Sequence, residues 1–371
     1  MTEFYETSQR ALSQARHGKW KDLRNLDLWG ADLRGADLAR ANLSNSVLIN
    51  ANLTLADMQE CTLINTVAFN ANFSDANLEK AFMQNFYARE ALFQCANLTE
   101  ATVRKTTLSE SNFIRANCTN IDIDDSYLNN IMGEFAVFTN ARITNSEMQK
   151  VIMPKAQFTS AVINQVAFND SDFHYLKFNN ARVYDTDFSN CNFQSAALSN
   201  SLFRFSTFDS SNMQYTFLNN AEFEQSSLID VNLFYSEMNK INLRNSNLSR
   251  ADMRFVFMVY PILCDSWFDG ALITVNQEDI MVKFERCADQ SNEDLIEKSA
   301  KRVAQLNKNA MREYVFYTKC PSDKRLEKAW VQKTDNYFEV PKNIDIELGQ
   351  LLQSLGYDSL PQDYRLFIRG L

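Results

Sequence analysis

Along most of this chain a large apolar residue returns at every fifth position. Stepping by five from Leu23 to Ile273 visits 51 positions, and 47 of them hold Leu, Phe, Ile, Met or Val. The exceptions are Ala68, Ala88, Cys118 and Gly133. Two residues before each centre, Ala, Ser, Thr or Cys fills 39 of the 51 slots, and no insertion or deletion breaks the register. Neither a helix nor a strand repeats every five residues. One large and one small inward residue in each five instead imply a chain that bends once per unit.

The clearest run is Ala31-Asp32-Leu33, Ala36-Asp37-Leu38, Ala41-Asn42-Leu43 and Ala51-Asn52-Leu53. This A-(D/N)-L-x-x unit, sustained over about residues 21–275, resembles the pentapeptide-repeat family. The resemblance implies an all-β fold, a right-handed quadrilateral β-helix with four repeats, or twenty residues, per coil. It would have about 13 coils and, at a strand spacing near 4.8 Å, a length of roughly 60 Å. The few glycines (8) and prolines (5) mean that the turns are built from other residues.

A twenty-residue coil stacks residues twenty apart. Interior columns should read Val183, Phe203, Phe223, Leu243, Leu263, and Phe168, Phe188, Phe208, Leu228, Leu248. Ala88 is offset by Phe86, and Gly133 by Ile131, so that interior volume is kept. Outside, Asp124 should lie beside Arg104, Asp125 beside Lys105, Asp122 beside Arg142, Glu224 between Arg204 and Arg244, and Asp230 beside Arg250. Charge pairs of this kind set register. Asparagine columns (Asn25, Asn45, Asn65, Asn85; Asn180, Asn200, Asn220) and a threonine column (Thr99, Thr119, Thr139, Thr159) should hydrogen-bond along the stack.

The rhythm stops at both ends. Residues 1–20 read as a helical cap, with Thr2 as N-cap and Phe4, Leu12 and Ala15 on one side, covering a coil edge that would otherwise invite pairing. Residues 276–371 read as an α-helical domain. Helices are expected over Gln277 to about Asp289, from the Ser291 capping box to about Tyr317, over Arg325–Gln332, after Asn343 and after Pro361.

Charge and chemistry narrow the function. A net charge of −9 disfavours direct nucleic-acid binding and attraction to anionic membranes. No apolar run is long enough for membrane insertion. The N-terminus lacks the order of a cleaved signal peptide, and seven cysteines without paired spacing fit a reducing, cytoplasmic setting. A non-cleaved secretion signal would leave no trace here. The two histidines, His17 and His174, are far apart. Cys61, Cys118 and Cys191 read as core residues, and the acidic run Asp122, Asp124, Asp125 faces Arg142, Arg104 and Lys105. No catalytic residue, metal ligand set or cofactor site is expected.

One surface anomaly remains. Tyr215, Tyr235 and Phe255 share an exterior column with Phe234 beside them, and Phe217, Phe257 and Tyr260 fall on the adjoining side. Such a patch must be covered, either by the protein's own C-terminal segment or by a partner or a second copy. The expected function is a non-enzymatic interaction scaffold, a rod plus a helical domain binding a protein partner, with a homodimer through the C-terminal segment as another option. The resemblance also implies bacterial regulators or effectors that work by contact. It implies as well the quinolone-resistance branch, whose members mimic duplex DNA and bind DNA gyrase. An enzymatic C-terminal segment, with only Cys287 and Cys320 and no histidine, is the least supported reading.

Overall fold

The computed structural model describes residues 21–258, 261–262 and 266–272, and the backbone of residues 273–275 and of strands Glu278–Arg286, Arg312–Thr318, Phe338–Glu339 and Leu366–Ile368. The repeat region is a parallel β-solenoid. Bridges join residues twenty apart on four faces, running on one of them from Asp22↔Asn42 to Asn242↔Ile262. We number the faces by their first complete set, residues 22–25, 27–30, 32–35 and 37–40. On the first face nine rungs are regular strands, Thr62–Ile64 (β1) to Glu222–Glu224 (β9), paired in sequence order.

The repeat exists because it gives most of its backbone N–H groups an acceptor. In residues 51–55, Ala51 N–H closes the preceding turn on Leu48 C=O (2.9 Å) and Asn52 N–H reaches back one coil to Ala31 C=O (2.9 Å). Leu53 and Leu55 N–H reach forward to Asn72 and Ser74 C=O (2.7 and 3.1 Å). The remaining N–H, of Thr54, donates to Asn52 Oδ1 at 3.1 Å, which is why Asp or Asn precedes the centre. In four repeats where that slot lacks Asp or Asn, the preceding coil substitutes. Gln149, Ser199, Ile229 and Asn239 N–H donate to Asn129, Asn179, Asp209 and Asn219 Oδ1 (2.8–3.1 Å).

Each corner needs one residue in the left-handed region. Every fifth residue from Asn25 to Phe255 is there, with φ between 47° and 63°. Only two of these are glycine, Gly30 and Gly35. Asparagine takes fifteen, as the residue that tolerates this region best after glycine.

A second interior rule explains a buried polar column. On the first face several turns lack their closing hydrogen bond, and a hydroxyl from the next coil replaces it. Thr106, Ser126, Ser206 and Ser226 N–H donate to Ser126, Ser146, Ser226 and Ser246 Oγ at 3.1–3.3 Å. These side chains are buried, and their hydroxyls donate on to main-chain carbonyls such as Asp124 (2.9 Å).

The apolar interior stacks as the periodicity requires. Phe203 lies over Phe223 (4.7 Å, 22°), and Phe168, Phe188 and Phe208 are stacked at 5.2 and 4.9 Å. Leu263 lies outside the described residues. Phe86 is buried beside Ala88, with its ring edge to Phe73, and a Cβ on Gly133 would lie 2.7 Å from Met153 Cε. Both departures are local repacking.

Outside, Asp122–Arg142 (3.6 Å), Glu224–Arg204 (2.7 Å) and Asp230–Arg250 (Nε–Oδ1 2.7 Å) form across coils. Arg104 differs from expectation. It pairs with Asp122 (3.3 Å) because Asp124 already accepts from Thr144 Oγ1 (2.6 Å) and Asn145 Nδ2 (2.9 Å), bonds that also hold its carboxyl below the usual range. Asn85→Asn65→Asn45 and Asn220→Asn200 form ladders (3.0–3.1 Å), whereas the Thr99 and Thr119 hydroxyls donate to Asn97 and Asn117 of their own repeats.

The expected N-terminal helix over residues 1–20 lies outside the described residues. Beyond the tower, Asp252–Met253 (β10) and Ala271–Val275 (β11) continue the third face. The chain then reverses into Glu278–Arg286 (β12), which is antiparallel to β11. Arg312–Thr318 (β13), Phe338–Glu339 (β14) and Leu366–Ile368 (β15) complete a six-stranded sheet in the order β10-β11-β12-β13-β15-β14. The helices expected across residues 278–286, 312–318 and 366–368 are therefore strands there. Ile280, Met281, Phe284 and Cys287 fit a helical stripe while Ile280, Val282 and Phe284 alternate with period two, and Glu313–Tyr317 holds β-formers, so periodicity alone does not separate the two. The remaining expected helices lie outside the described residues.

The hydroxyl rule gives a paired test. Ser226→Ala should destabilise by roughly 1–3 kcal/mol, because it leaves Ser206 N–H buried without an acceptor. Ser236→Ala removes a buried Oγ that has no partner and should be neutral or stabilising in urea unfolding.

Candidate interaction surface

Enzymatic chemistry has little to build on among the described residues. Cys61, Cys118 and Cys191 are buried; burial pushes the Cys61 thiol up to about 12 and raises the other two, so none is a nucleophile at neutral pH. Cys95 is exposed, but it lies four coils from His174, roughly 19 Å at a strand spacing near 4.8 Å. His174 Nδ1 sits 2.8 Å from Asp172 Oδ1 with its ring edge-on to Tyr175. His17, Cys264, Cys287 and Cys320 lie outside the described residues. No group of three or more His, Cys, Asp or Glu placed to hold a metal, and no helix long and apolar enough to cross a membrane, occurs among the described residues.

The surface that stands out is aromatic. Tyr215, Tyr235 and Phe255 form a ladder, with ring centroids 5.8 and 4.9 Å apart and planes within 10°. Phe234 sets its ring edge-on to all three, closest to Tyr235 at 4.7 Å, and Arg254 lies 5.5 Å over Phe234. Tyr215, Tyr235 and Phe255 are 44%, 49% and 40% exposed. Phe217 and Phe257 are exposed on the fourth face, but Glu237 separates them in the ladder, so the two do not stack on each other. Tyr260 lies outside the described residues.

The backbone makes this ladder unusual. Its three members occupy left-handed corner positions, where a side chain other than Asn or Gly costs about 1–2 kcal/mol. Six aromatics sit at such positions: Phe135, Tyr175, Phe205, Tyr215, Tyr235 and Phe255. All but Phe205 belong to one corner, that of the third face. Sequence reasoning found the last three and missed Phe135, which lies between Lys155 Nζ (4.7 Å) and Arg115 Cζ (6.0 Å) on the same corner. The signal that could have found Phe135 and Tyr175 was the fifth-position register itself, read across the whole chain.

Charge is also sorted by face. Over residues 21–258 the outward positions of the second face carry eight acids and three bases, those of the first seven and seven, and those of the third five and four. The net acidity of the tower therefore lies mainly on the second face, including Glu90, Glu110, Asp170, Asp187 and Asp209. Acids occur on all four faces; what differs is the number of bases beside them, seven on the first face and three on the second.

These features define a repeat tower whose surface, rather than a pocket, carries its chemistry. Residues 22–59, 46–85, 91–130, 186–225 and 226–259 match the family model for pentapeptide repeats, in eight copies. The chain belongs to the pentapeptide-repeat family. Among solved structures it is similar to HetL, a pentapeptide repeat protein involved in heterocyst differentiation regulation from the cyanobacterium Nostoc sp. strain PCC 7120 (15% identity, 71% of this chain and 96% of that one, TM-score 0.20). It is also similar to full-length QnrB1, a plasmid-mediated fluoroquinolone resistance protein (14%, 62% and 93%, TM-score 0.20). A third is a pentapeptide repeat protein of the Arabidopsis thaliana thylakoid lumen (28%, 28% and 69%, TM-score 0.19). At TM-scores this low none of the three bears on the function of this chain. No curated protein matches it.

The left-handed corner gives a direct test of what the aromatics are for. Tyr235→Asn trades stacking worth about 0.5–1.5 kcal/mol against a backbone cost of similar size, so thermal stability should change by no more than about 1 kcal/mol in either direction. A loss of several kcal/mol on melting would make Tyr235 a structural residue.

Proposed function

We propose that this chain is a non-enzymatic interaction scaffold, a stiff repeat tower that presents the aromatic corner of its third face to another polypeptide. One observation carries the reading: aromatic side chains are concentrated on a single corner, at backbone positions that favour asparagine. A corner held only for stability would keep asparagine. The ladder supplies rigid apolar anchors of the kind that dominate interfaces, with few rotamers to freeze. Benzoylphenylalanine placed at Tyr215 should crosslink to a polypeptide other than its own chain in the native cell, while the same probe at Thr139 on the fourth face should not. Crosslinks confined to residues of the same molecule would overturn the reading.

A second reading rests on the acidic second face. A line of carboxylates one coil apart resembles the charge of a nucleic-acid strand, which supports a DNA-mimic role towards a topoisomerase such as DNA gyrase. It predicts that the protein alters gyrase supercoiling and that Glu110→Gln, Asp170→Asn, Asp187→Asn and Asp209→Asn together remove the effect. Unchanged supercoiling with the wild-type chain in large molar excess would exclude it.

A further inference from the structure

We infer that the aromatic corner is a self-association surface, and that its occupant is a second copy of this chain lying antiparallel along the third face. The inference rests on the scaffold reading above and commits to the partner.

The ring geometry first removes other ligands. A sugar or a nucleobase recognised by an aromatic side chain stacks on an open ring face. Within this ladder the faces between Tyr215, Tyr235 and Phe255 are filled by one another, with planes within 10°, and Phe234 lies against their flank. What faces outward is a row of ring edges, which suits packing against other side chains.

Charge then selects among protein partners. From Ile114 to Phe257 the outward positions of the third face, with the adjoining column of the fourth, hold four bases and four acids. Several are already paired: Lys155 with Glu134 at 3.3 Å, and Arg254 with Asp252 at 2.8 Å. A two-fold contact places the same patch on both sides, so it must tolerate its own charge. A neutral strip meets this condition. The second face, with its acid surplus, would repel its own copy; the first face is balanced too, but only the third adds the exposed aromatic ladder to a neutral strip.

Spacing favours a copy for a separate reason. The rungs repeat once per coil, with ring centroids 4.9 and 5.8 Å apart in the ladder. An identical tower carries the same repeat, so with the two-fold axis near Ser195, midway along the strip, Tyr215, Tyr235 and Phe255 of one molecule fall opposite Tyr175, Lys155 and Phe135 of the other. Met132 and Ile152, stacked on the same face and 42% and 53% exposed, extend the apolar strip towards the middle of the tower.

Size sets the strength. Six coil steps from Met132 to Phe257 span roughly 30 Å, and a face about five residues wide adds roughly 15 Å, giving about 450 Å² on each copy. Near 900 Å² in total is, on the order of magnitude, at the low end for specific association, so the dimer should be weak and reversible.

Sedimentation equilibrium of the full chain tests this. Over about 1–100 µM the average mass should rise from 42.7 kDa towards twice that value. Tyr215→Asn, Tyr235→Asn and Phe255→Asn combined should weaken association at least tenfold with melting preserved, whereas Tyr127→Asn on the second face should leave association unchanged. A wild-type chain that stays monomeric, or a triple variant that associates as well as wild type, overturns the inference. Crosslinks from Tyr215 separate the two proposals. A product of twice the chain mass supports self-association. A product with a different polypeptide sinks self-association and leaves the scaffold reading standing, and a product within one chain sinks both.

Discussion

Everything in this tower depends on a turn that closes every five residues with one residue held left-handed. That corner fixes φ near +55°, and it forces the next strand to leave at an angle to the last. It also aims four of the five N–H groups of a repeat at main-chain carbonyls. The fifth N–H cannot reach one, and a side chain must serve it. The Asp or Asn before the centre does so, as Asn52 does for Thr54, and a previous-coil Asn or Asp does so in four repeats where that slot is lost. The consensus is thus a statement of backbone satisfaction, and only secondarily of packing.

Because the corner is uniform, the surface becomes a grid with a fixed vertical spacing. Chemistry is then written by column. Carboxylates and guanidiniums fall opposite each other on the first face and cancel, while on the second face acids outnumber bases even though Arg89 and Arg250 pair with Glu110 and Asp230. Aromatics collect on the third corner, where each occupies a backbone state that Asn or Gly would hold at lower cost. In a globular enzyme such groups converge on a cavity. Here convergence is along a line, and function must be sought in lines and faces.

The period of five made the coil, the interior columns and three of the ion pairs legible before any coordinates. It did not reveal which neighbour Arg104 takes, because Asp122 and Asp124 are both within one coil, and the choice turns on hydrogen bonds from Thr144 and Asn145 to Asp124. Nor did it reveal why Ser126, Ser206 and Ser226 are polar inside an apolar tube. Their role appears only when the missing turn bonds of the first face are counted. The strands after Val275 are not legible as strands, because Ile280, Met281 and Phe284 fit a helical stripe over the same short run in which Ile280, Val282 and Phe284 alternate. The aromatic corner was half seen: Tyr215, Tyr235 and Phe255 are adjacent in their column, while Phe135 and Tyr175 are separated from them and from each other by Lys155 and Ser195.

The sorting of charge and rings by face bears on how one rigid object can make two contacts. The second and third faces meet at a corner, so a neutral strip and an acidic strip run side by side along the same tower. Two towers joined through their third faces would keep both second faces clear of the joint, since like charges cannot be buried against each other without large cost. Association through the aromatic corner would therefore leave the acidic faces free and double them within one assembly. A basic partner would then meet two parallel lines of carboxylates held at a fixed separation, and binding both at once would raise its apparent affinity through effective concentration without any new contact.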